Sequence, residues 1–227
     1  MGRICFRINE LAWSDPITRI EKIENDLIAI VNNQQIYNYF INVVNANLEH
    51  IKSNEGLLFC DFVRQCYGVQ AALGIRRHIK MDDDSISLMR LLEQIKQCAC
   101  QFTYDFYLQR YPIINGHEFQ KSTFQEFSDD GKTISEHKID NDIQGLKKIG
   151  GKVSNLVDRI IAHLDKRGIE EEVTYNDLEE SINVFNKITL KYINLITFAG
   201  FLSLTPTVQS DWTKILSVPL DVRKCEP

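Results

Sequence analysis

Residues 146–165 read LKKIGGKVSNLVDRIIAHLD, and the apolar positions in this stretch step by alternating threes and fours. This spacing puts five apolar side chains on one face of an α-helix: Leu146, Ile149, Val153, Leu156 and Ile160. We therefore predict a core-facing helix from about residue 140 to residue 166. The Gly150-Gly151 pair inside it is expected to be a weak point or a close packing contact.

The next step along the same face reaches His163, and Arg159 lies four residues before it. Side chains at that spacing are neighbours on a helix surface. A guanidinium beside an imidazole can bind a phosphate and move a proton, and these are the minimum requirements for cleaving RNA without a metal. The alternative is structural: a hydrogen-bonded core histidine, and an arginine that snorkels or forms a salt bridge.

Composition and charge indicate a globular, mainly helical protein that does not have a broad cationic surface. Hydrophobic residues make up 44% of the 227 residues, and five prolines and eleven glycines interrupt the chain. The formal net charge of −5 argues against nonspecific binding to nucleic acid or to anionic membranes. A local basic site stays possible at the short runs 76–80, 147–148 and 166–167.

The cysteines and the hydropathy pattern predict a reduced, cytoplasmic protein without a membrane anchor. Six cysteines are present, but their pattern does not resemble a secreted disulfide framework. Cys98 and Cys100 form a lone C-x-C pair without a second ligand pair, so neither a metal nor a cofactor is expected. No signal-peptide-like run occurs, and no apolar stretch approaches the about 18 residues that span a bilayer.

A second helix end also carries a residue that can bind phosphate. After helices at about 15–31 and 34–52, which the Asn32-Asn33 pair separates or bends, a third helix is predicted at about 54–80. Its apolar positions are Phe59, Phe62, Cys66, Val69 and Leu73. The next step reaches Arg76, which either caps its own helix or, if the two helix ends meet, forms an Arg-His site with His163.

Local signals complete the predicted organisation. The acidic run 82–84 is expected to cap a fourth helix, and Thr174 with Asp177 forms a capping box before a final long helix. Residues 1–14 are predicted to be an N-terminal extension, and residues 219–227 a C-terminal tail. Between them, one helical domain at 15–218 contains a polar loop insertion at about 113–139 and a short C-terminal helix with Trp212.

Several motifs together resemble the HEPN superfamily, specifically its AbiU-type abortive-infection branch. They are Arg76-Arg77 followed by Asp82 to Asp84, the run SISLMRLL at 85–92, the run DRIIAHLDK at 158–166, TYNDL at 174–178 and Asp211-Trp212. The resemblance covers roughly residues 15–218. It implies an all-α, antiparallel multi-helix bundle that forms a homodimer, in which two such motifs are juxtaposed.

The resemblance also implies a function. Members of the superfamily act as RNA-cleaving toxins or phage-defence effectors, with RNA as substrate and a protein partner such as an antitoxin. In nuclease members, four to six residues separate an arginine from the motif histidine. Here His163 matches that histidine, Arg159 leaves three residues between, and Asp158 leaves four.

The expected site residues are therefore His163 as general acid and base, Arg159 or Arg76 as the phosphate contact, and Asp165 as a residue that orients the imidazole or only solubilises the helix end. The rival hypothesis is a non-catalytic helical interaction module. In that case the arginine and histidine hold together the bundle or a dimer interface.

Overall fold

A computed structural model describes residues 10–82, 84–110, 117–161, 172–198, 200–205 and 211–217. Within these ranges the chain forms eight α-helices and no strand, only an isolated bridge between Thr103 and Thr133. The helices are α1 (Glu10–Ala46), α2 (Leu48–Ser53), α3 (Leu57–Ile79), α4 (Leu88–Gln97), α5 (Tyr104–Arg110), α6 (His117–Gln125), α7 (Glu136–Leu156) and α8 (Tyr175–Thr197). The prediction of an all-α bundle is confirmed.

Helices α1 and α3 run antiparallel in a bundle of four long helices. Gly74 of α3 faces Ile30 of α1, and one turn further along α3, Arg77 donates to Asp26 of α1 at 2.8 Å. As the residue numbers rise in one helix, they fall in the other. Because Gly74 has no side chain, the two helices can approach closely at this point.

Helices α7 and α8 complete the bundle and are also antiparallel. Lys152 of α7 pairs with Asp177 at 3.2 Å, and Lys191 of α8 pairs with Asp142 at 2.6 Å. Helix α4 packs across α7, where Lys96 and Asp140 form an ion pair at 2.5 Å. The ion pairs lie at the edges of interfaces whose centres are apolar.

The core is built from aliphatic and aromatic side chains of the four long helices and α4. Its fully buried members include Ile20, Ile23, Leu27, Ala71, Ile75, Leu88, Leu92, Ile143, Leu146, Val153, Phe185, Tyr192 and Ile196. In the helix predicted at about 140–166, Leu146 and Val153 are buried as expected, whereas Ile149 and Leu156 are only partly buried. Burial of this apolar surface is the main stabilising contribution to the fold.

Helix α1 continues through Asn32 and Asn33, so the predicted break there is wrong. Val31 and Gln34 on either side are buried, at 4% and 7% exposure. An asparagine inside a helix costs at most about 0.7 kcal/mol relative to alanine. Burial of side chains in the flanking turns stabilises the helix by more than this. The helix also begins before Asp15, at Glu10.

Helix α3 buries a different face from the one predicted. Phe59 and Phe62 are 63% and 61% exposed, and Cys66, Val69 and Leu73 are exposed as well. The buried face instead consists of Cys60, Tyr67, Ala71, Ala72, Gly74, Ile75 and His78. The prediction was wrong because the inner face combines Tyr67 and Ile75 with small residues and a histidine, whereas large apolar residues also line the outer face.

Helix α4 is capped by Ser87, not by the acidic run at 82–84. The Ser87 hydroxyl accepts from the backbone N–H of Arg90 at 3.2 Å. Asp82 instead pairs with Lys80, and Asp83 lies outside the described residues. A serine directly before the first apolar turn is a stronger capping signal than acidic residues three positions earlier.

The region predicted as a polar loop insertion contains α6 and contributes to the core. Phe124, Phe127 and Ile134 are nearly fully buried. Gly131 has a φ of 72° and closes a turn in which the Asp130 carboxylate accepts from two backbone N–H groups. The segment therefore folds as part of the bundle, although its surface is polar.

The predicted start of α8 and the short C-terminal helix are confirmed. Thr174 and Asp177 form a reciprocal capping box. Trp212 begins a 3₁₀-helix, Trp212–Ser217, and its ring packs edge-on against Tyr39 of α1 at 5.1 Å. Among the described helices, none has an apolar span of the length that a bilayer crossing requires.

Replacing Gly150 by alanine is expected to lower the free energy of unfolding by about 1 kcal/mol. A β-carbon there would overlap Cδ1 of Ile79 and lie 3.2 Å from Phe185, and such overpacking costs about 1–3 kcal/mol against a helix gain of up to about 1 kcal/mol. Gly151→Ala is the matched control, because nothing lies within 4 Å and it should stabilise by about 0.5–1 kcal/mol. Urea unfolding of both variants checks this, and stabilisation of equal size in both would contradict it.

Candidate functional site

The candidate site begins where α3 crosses the last turns of α7. Ile79 at the end of α3 lies against Gly150 of α7, where a β-carbon would not fit. Because the two helices pack this closely, the side chain of Arg76, one turn earlier in α3, reaches the segment that follows α7. The helix packing therefore decides where Arg76 lies.

That segment is a π-helical turn, Val157–Ile161. Val157 is fully buried and anchors the turn to the core, while Asp158 is exposed and Arg159 is half-buried. A π-helical turn, with hydrogen bonds from residue i to residue i+5, is rare, and such turns occur frequently at functional sites. The predicted motif helix thus ends as an α-helix at Leu156, earlier than expected.

Arg76 and Asp158 form an ion pair at the centre of the site. Nε of Arg76 donates to Oδ1 of Asp158 at 2.5 Å, and the two side chains are 25% and 49% exposed. The two terminal nitrogens of Arg76 make no hydrogen bond to other described residues. The carboxylate therefore orients the guanidinium and leaves donors that suit a phosphate.

The structure brings together some of the predicted site residues. Arg76 lies on α3, and Arg159 lies in the adjoining π-helical turn, whose Asp158 contacts Arg76. Arg76 therefore reaches the described part of the motif segment, while the helix end that carries His163 lies outside the described residues. His163 and Asp165 lie outside the described residues, so their roles stay predictions.

Beside this pair lies a second charged cluster, which holds the end of α3 against α1. Arg77 donates to both carboxylate oxygens of Asp26, at 2.8 and 3.1 Å. His78 is 2% exposed, and its Nε2 lies 3.0 Å from Oδ2 of Asp26. That distance suits a hydrogen bond, but the ring N–H is poorly aligned with the oxygen.

The cluster shifts the titration of Asp26. Contact with the His78 donor has the largest effect and lowers the pKa of the Asp26 carboxyl below 3.8, burial opposes this, and the charges of His78 and Arg77 lower it further. Nδ1 of His78 is buried and has no hydrogen-bond partner among the described residues. The two charge-assisted hydrogen bonds from Arg77 to Asp26 therefore make the largest contribution to holding the α3 end against α1.

The pairing of Arg76 with Asp158, the pairing of Arg77 with Asp26 and the burial of His78 were not predicted from the sequence. For His78 a signal existed, because Ala71, Ile75 and His78 follow the three-four spacing of a buried face. Asp26 and Asp158 are 51 and 82 residues distant from their arginine partners, and no local pattern connects them. In the described part of the chain, no three His, Cys, Asp or Glu side chains converge as metal ligands would.

Asp26→Asn is expected to destabilise the protein at pH 7 by about 1 kcal/mol, after allowance for solvent screening at a partly exposed group. The folded pKa of Asp26 is lowered, so its carboxylate stabilises the fold above the ordinary pKa of 3.8, and this contribution is lost as the pH falls through the folded pKa. The gap between wild type and variant in urea unfolding should therefore shrink from pH 7 to pH 3. Asp61→Asn is the control, because it affects only an exposed pair with Arg64. If the difference in unfolding free energy between wild type and Asp26→Asn did not change with pH, the lowered pKa assigned to Asp26 would be contradicted.

Comparison with known proteins gives one result at the level of the family. A family model described as HEPN_AbiU2, AbiU2, matches residues 17–212. No curated protein matches, and no solved structure matches. The family match spans all eight α-helices apart from the first turns of α1, and it includes Arg76, Asp158 and Arg159. The chain therefore belongs to the AbiU2 family of HEPN domains, which is related to abortive infection.

Proposed function

We propose that this protein is a metal-independent endoribonuclease and acts as a toxin-type effector of a prokaryotic abortive-infection system. The observation that carries the proposal is the contact between Arg76 and Asp158, because Asp158 precedes His163 by five positions. A guanidinium from α3 is thereby held next to the segment that leads to the motif histidine. Family membership supports a defence role, and the chemistry of arginine and histidine supports RNA as the substrate.

The reaction that these residues suit is an internal transfer within RNA. His163 removes the proton from a ribose 2′-hydroxyl, and the 2′-oxygen attacks the adjacent phosphorus. The bond to the 5′-oxygen of the next nucleotide breaks, and that oxygen takes up a proton returned by the imidazole. The products are a 2′,3′-cyclic phosphate and a free 5′-hydroxyl, with no oxidant and no metal required.

Arg76 is assigned the phosphate contact that stabilises charge in this transition state. In nuclease relatives four to six residues separate an arginine from the motif histidine, and here Asp158 occupies the position that leaves four residues between. Asp158 accepts a hydrogen bond only from Nε of Arg76, so the two terminal nitrogens of Arg76 can donate to two oxygens of a phosphate. In this proposal Arg76 of α3 takes the role that an arginine within the motif has in the nuclease relatives.

The other predicted residues have supporting roles. Arg159 lies in the same π-helical turn as Asp158 and is a second candidate contact for phosphate. Asp165 is two residues after His163 and is assigned the orientation of the imidazole. A protein partner such as an antitoxin would restrain the activity by covering this basic site on an otherwise acidic chain.

His163→Ala is expected to lower the cleavage of a mixed RNA pool in EDTA by about 10²–10⁴-fold, because the proton transfer is lost. His137→Ala is the matched control, since His137 is exposed on α7 away from the Arg76–Asp158 contact. Thermal melts of both variants should equal that of the wild type. Unchanged cleavage by His163→Ala would remove the histidine from the mechanism.

Arg76→Asp is expected to lower cleavage by about 10²–10³-fold, the usual effect of losing one transition-state donor. The double variant Arg76→Asp with Asp158→Arg should recover most of that loss, because it puts an arginine in the family position while it keeps the pair. The reversed pair Glu49→Lys with Lys52→Glu, both exposed on α2, controls for a general change of surface charge. No recovery, together with an undiminished rate in Arg76→Ala, would show that Arg76 does not contact the substrate.

A non-catalytic interaction module is the second candidate, and the same ion pair favours it, because a carboxylate already neutralises Arg76. In that case Arg76→Ala lowers the melting temperature, and the purified wild type cleaves no RNA. The cleavage and melting measurements above therefore separate the two functions.

A further inference from the structure

The outward side of α3 is apolar along most of its length, and the described chain leaves it exposed. We call it the α3 apolar face; it consists of Leu58, Phe59, Phe62, Cys66, Val69 and Leu73. The opposite side of α3 makes the contacts with the core. A continuous apolar surface of this kind marks a place where something docks.

The half of this face that precedes Cys66 is the more exposed half. Leu58 is 81% exposed, and Phe59 and Phe62 exceed 60%, whereas Val69 and Leu73 are 41% and 38% exposed. The largest uncovered apolar area therefore lies in the first two turns of α3. An occupant of the face gains most by covering these turns.

The C-terminal 3₁₀-helix leads from α1 toward this face. Its start, at residues 211–213, lines a small pocket with side chains of α1 alone, among them Tyr39. Further along, Ile215 and Leu216 line a groove of about 510 Å³ together with Val63 and Cys66 of α3. The chain that follows Ser217 thus starts beside the middle of the α3 apolar face.

The sequence after Ser217 predicts an extended segment with one apolar side. Residues 218–224 read VPLDVRK. Pro219 restricts its own backbone and that of Val218 to extended conformations. Side chains alternate along an extended chain, so Val218, Leu220 and Val222 share one side and Asp221 lies on the other. These residues lie outside the described ranges and beyond the family match at 17–212, so the segment is a feature of this chain.

We propose that residues 218–222 dock as an extended strap on the α3 apolar face of the same chain and run toward the start of α3. Val218 then lies over Cys66, Leu220 over Phe62, and Val222 over Phe59. Val218 to Val222 spans about 13 Å in an extended chain. Cys66 to Phe59 spans about 10 Å along α3, so the strap has the length to reach all three positions.

Charge supports this direction. Residues 53–75 contain two acids, Glu55 and Asp61, and one cation, Arg64. The end of α3 instead contains Arg76 and Arg77. A strap that runs toward the start of α3 brings its next two residues, the cations at 223–224, to the acidic end of the helix. The opposite direction would set them beside two arginines.

The α3 apolar face suits a strap better than it suits a nucleic acid. RNA needs cations along its track, and the face has none between Arg64 and Arg76. The strap leaves the end of α3 with Arg76 uncovered. It is therefore compatible with two juxtaposed motifs in a homodimer, as the family resemblance implies, and it does not depend on the proposed ribonuclease.

The first test measures which residues are close together. In the full chain with the native cysteines at 5, 66, 98, 100 and 225 changed to serine, Phe59→Cys and Val222→Cys should be joined by a short bis-maleimide within one chain of 26.3 kDa. Leu73→Cys with Val222→Cys is the matched control. It should give no link, because position 73 lies about 21 Å from position 59 along α3.

Three results of this test would overturn the proposal. A link that joins two chains only, at twice the mass, would show that a second copy occupies the face. Equal linking of Val222→Cys to positions 59 and 73 would show that the segment has no fixed register. The absence of any link to position 59 would show that the strap does not dock there.

The second test measures cover. In otherwise native full-length protein, Leu220→Glu should raise the rate at which a maleimide labels Cys66 about tenfold or more, because docking would bury the new charge. Val222→Glu should act in the same way. Asp221→Asn is the matched control and should leave the rate unchanged, since Asp221 lies on the other side of the strap.

Labelling is read separately at each cysteine by mass spectrometry of the peptides. The exposed Cys100 provides the reference rate, and the buried Cys60 should stay unlabelled in every variant, which shows that the bundle is intact. Equal labelling of Cys66 in the wild type, Leu220→Glu and Val222→Glu would mean that nothing in this segment covers the face, and the proposal would fail.

Discussion

The contact between Gly150 and Ile79 is the constraint on which the candidate site depends. Only a residue without a side chain lets α3 come this close to α7. The distance between the two helix axes in turn decides whether Arg76 can reach Asp158. A property of the core, the absence of one methyl group, therefore controls a polar contact on the surface one turn away.

Charge at the end of α3 is arranged in two clusters. Arg77 and His78 contact Asp26 of α1, whereas Arg76 contacts Asp158 of the π-helical turn. The first cluster fixes the helix end, and the second presents a cation whose charge is partly offset. A phosphate bound by Arg76 would either compete with the Asp158 carboxylate or bind beside it. This competition favours ligands of higher charge density than a carboxylate.

Much of the fold follows from local patterns, and the site follows from long-range ones. The capping box at Thr174 and Asp177 and the buried positions Leu146 and Val153 were predictable, because caps and helical spacing act within a few residues. The buried face of helix α3 was not predictable in this way, since its outer face is more apolar than its inner face, where alanine, glycine and a histidine accompany Tyr67 and Ile75. The Arg76–Asp158 pair joins residues 82 positions apart, and no local pattern connects such residues.

The π-helical turn at Val157–Ile161 has a consequence for how the chain tolerates changes of length. Each residue of an α-helix advances the side chains by about 100° around the helix axis. Loss of Val157 would carry Asp158 about that far around the axis, away from Arg76, while the core positions of α7 before it stay in place. The geometry around Arg76 is therefore more sensitive to a single insertion or deletion here than to most substitutions.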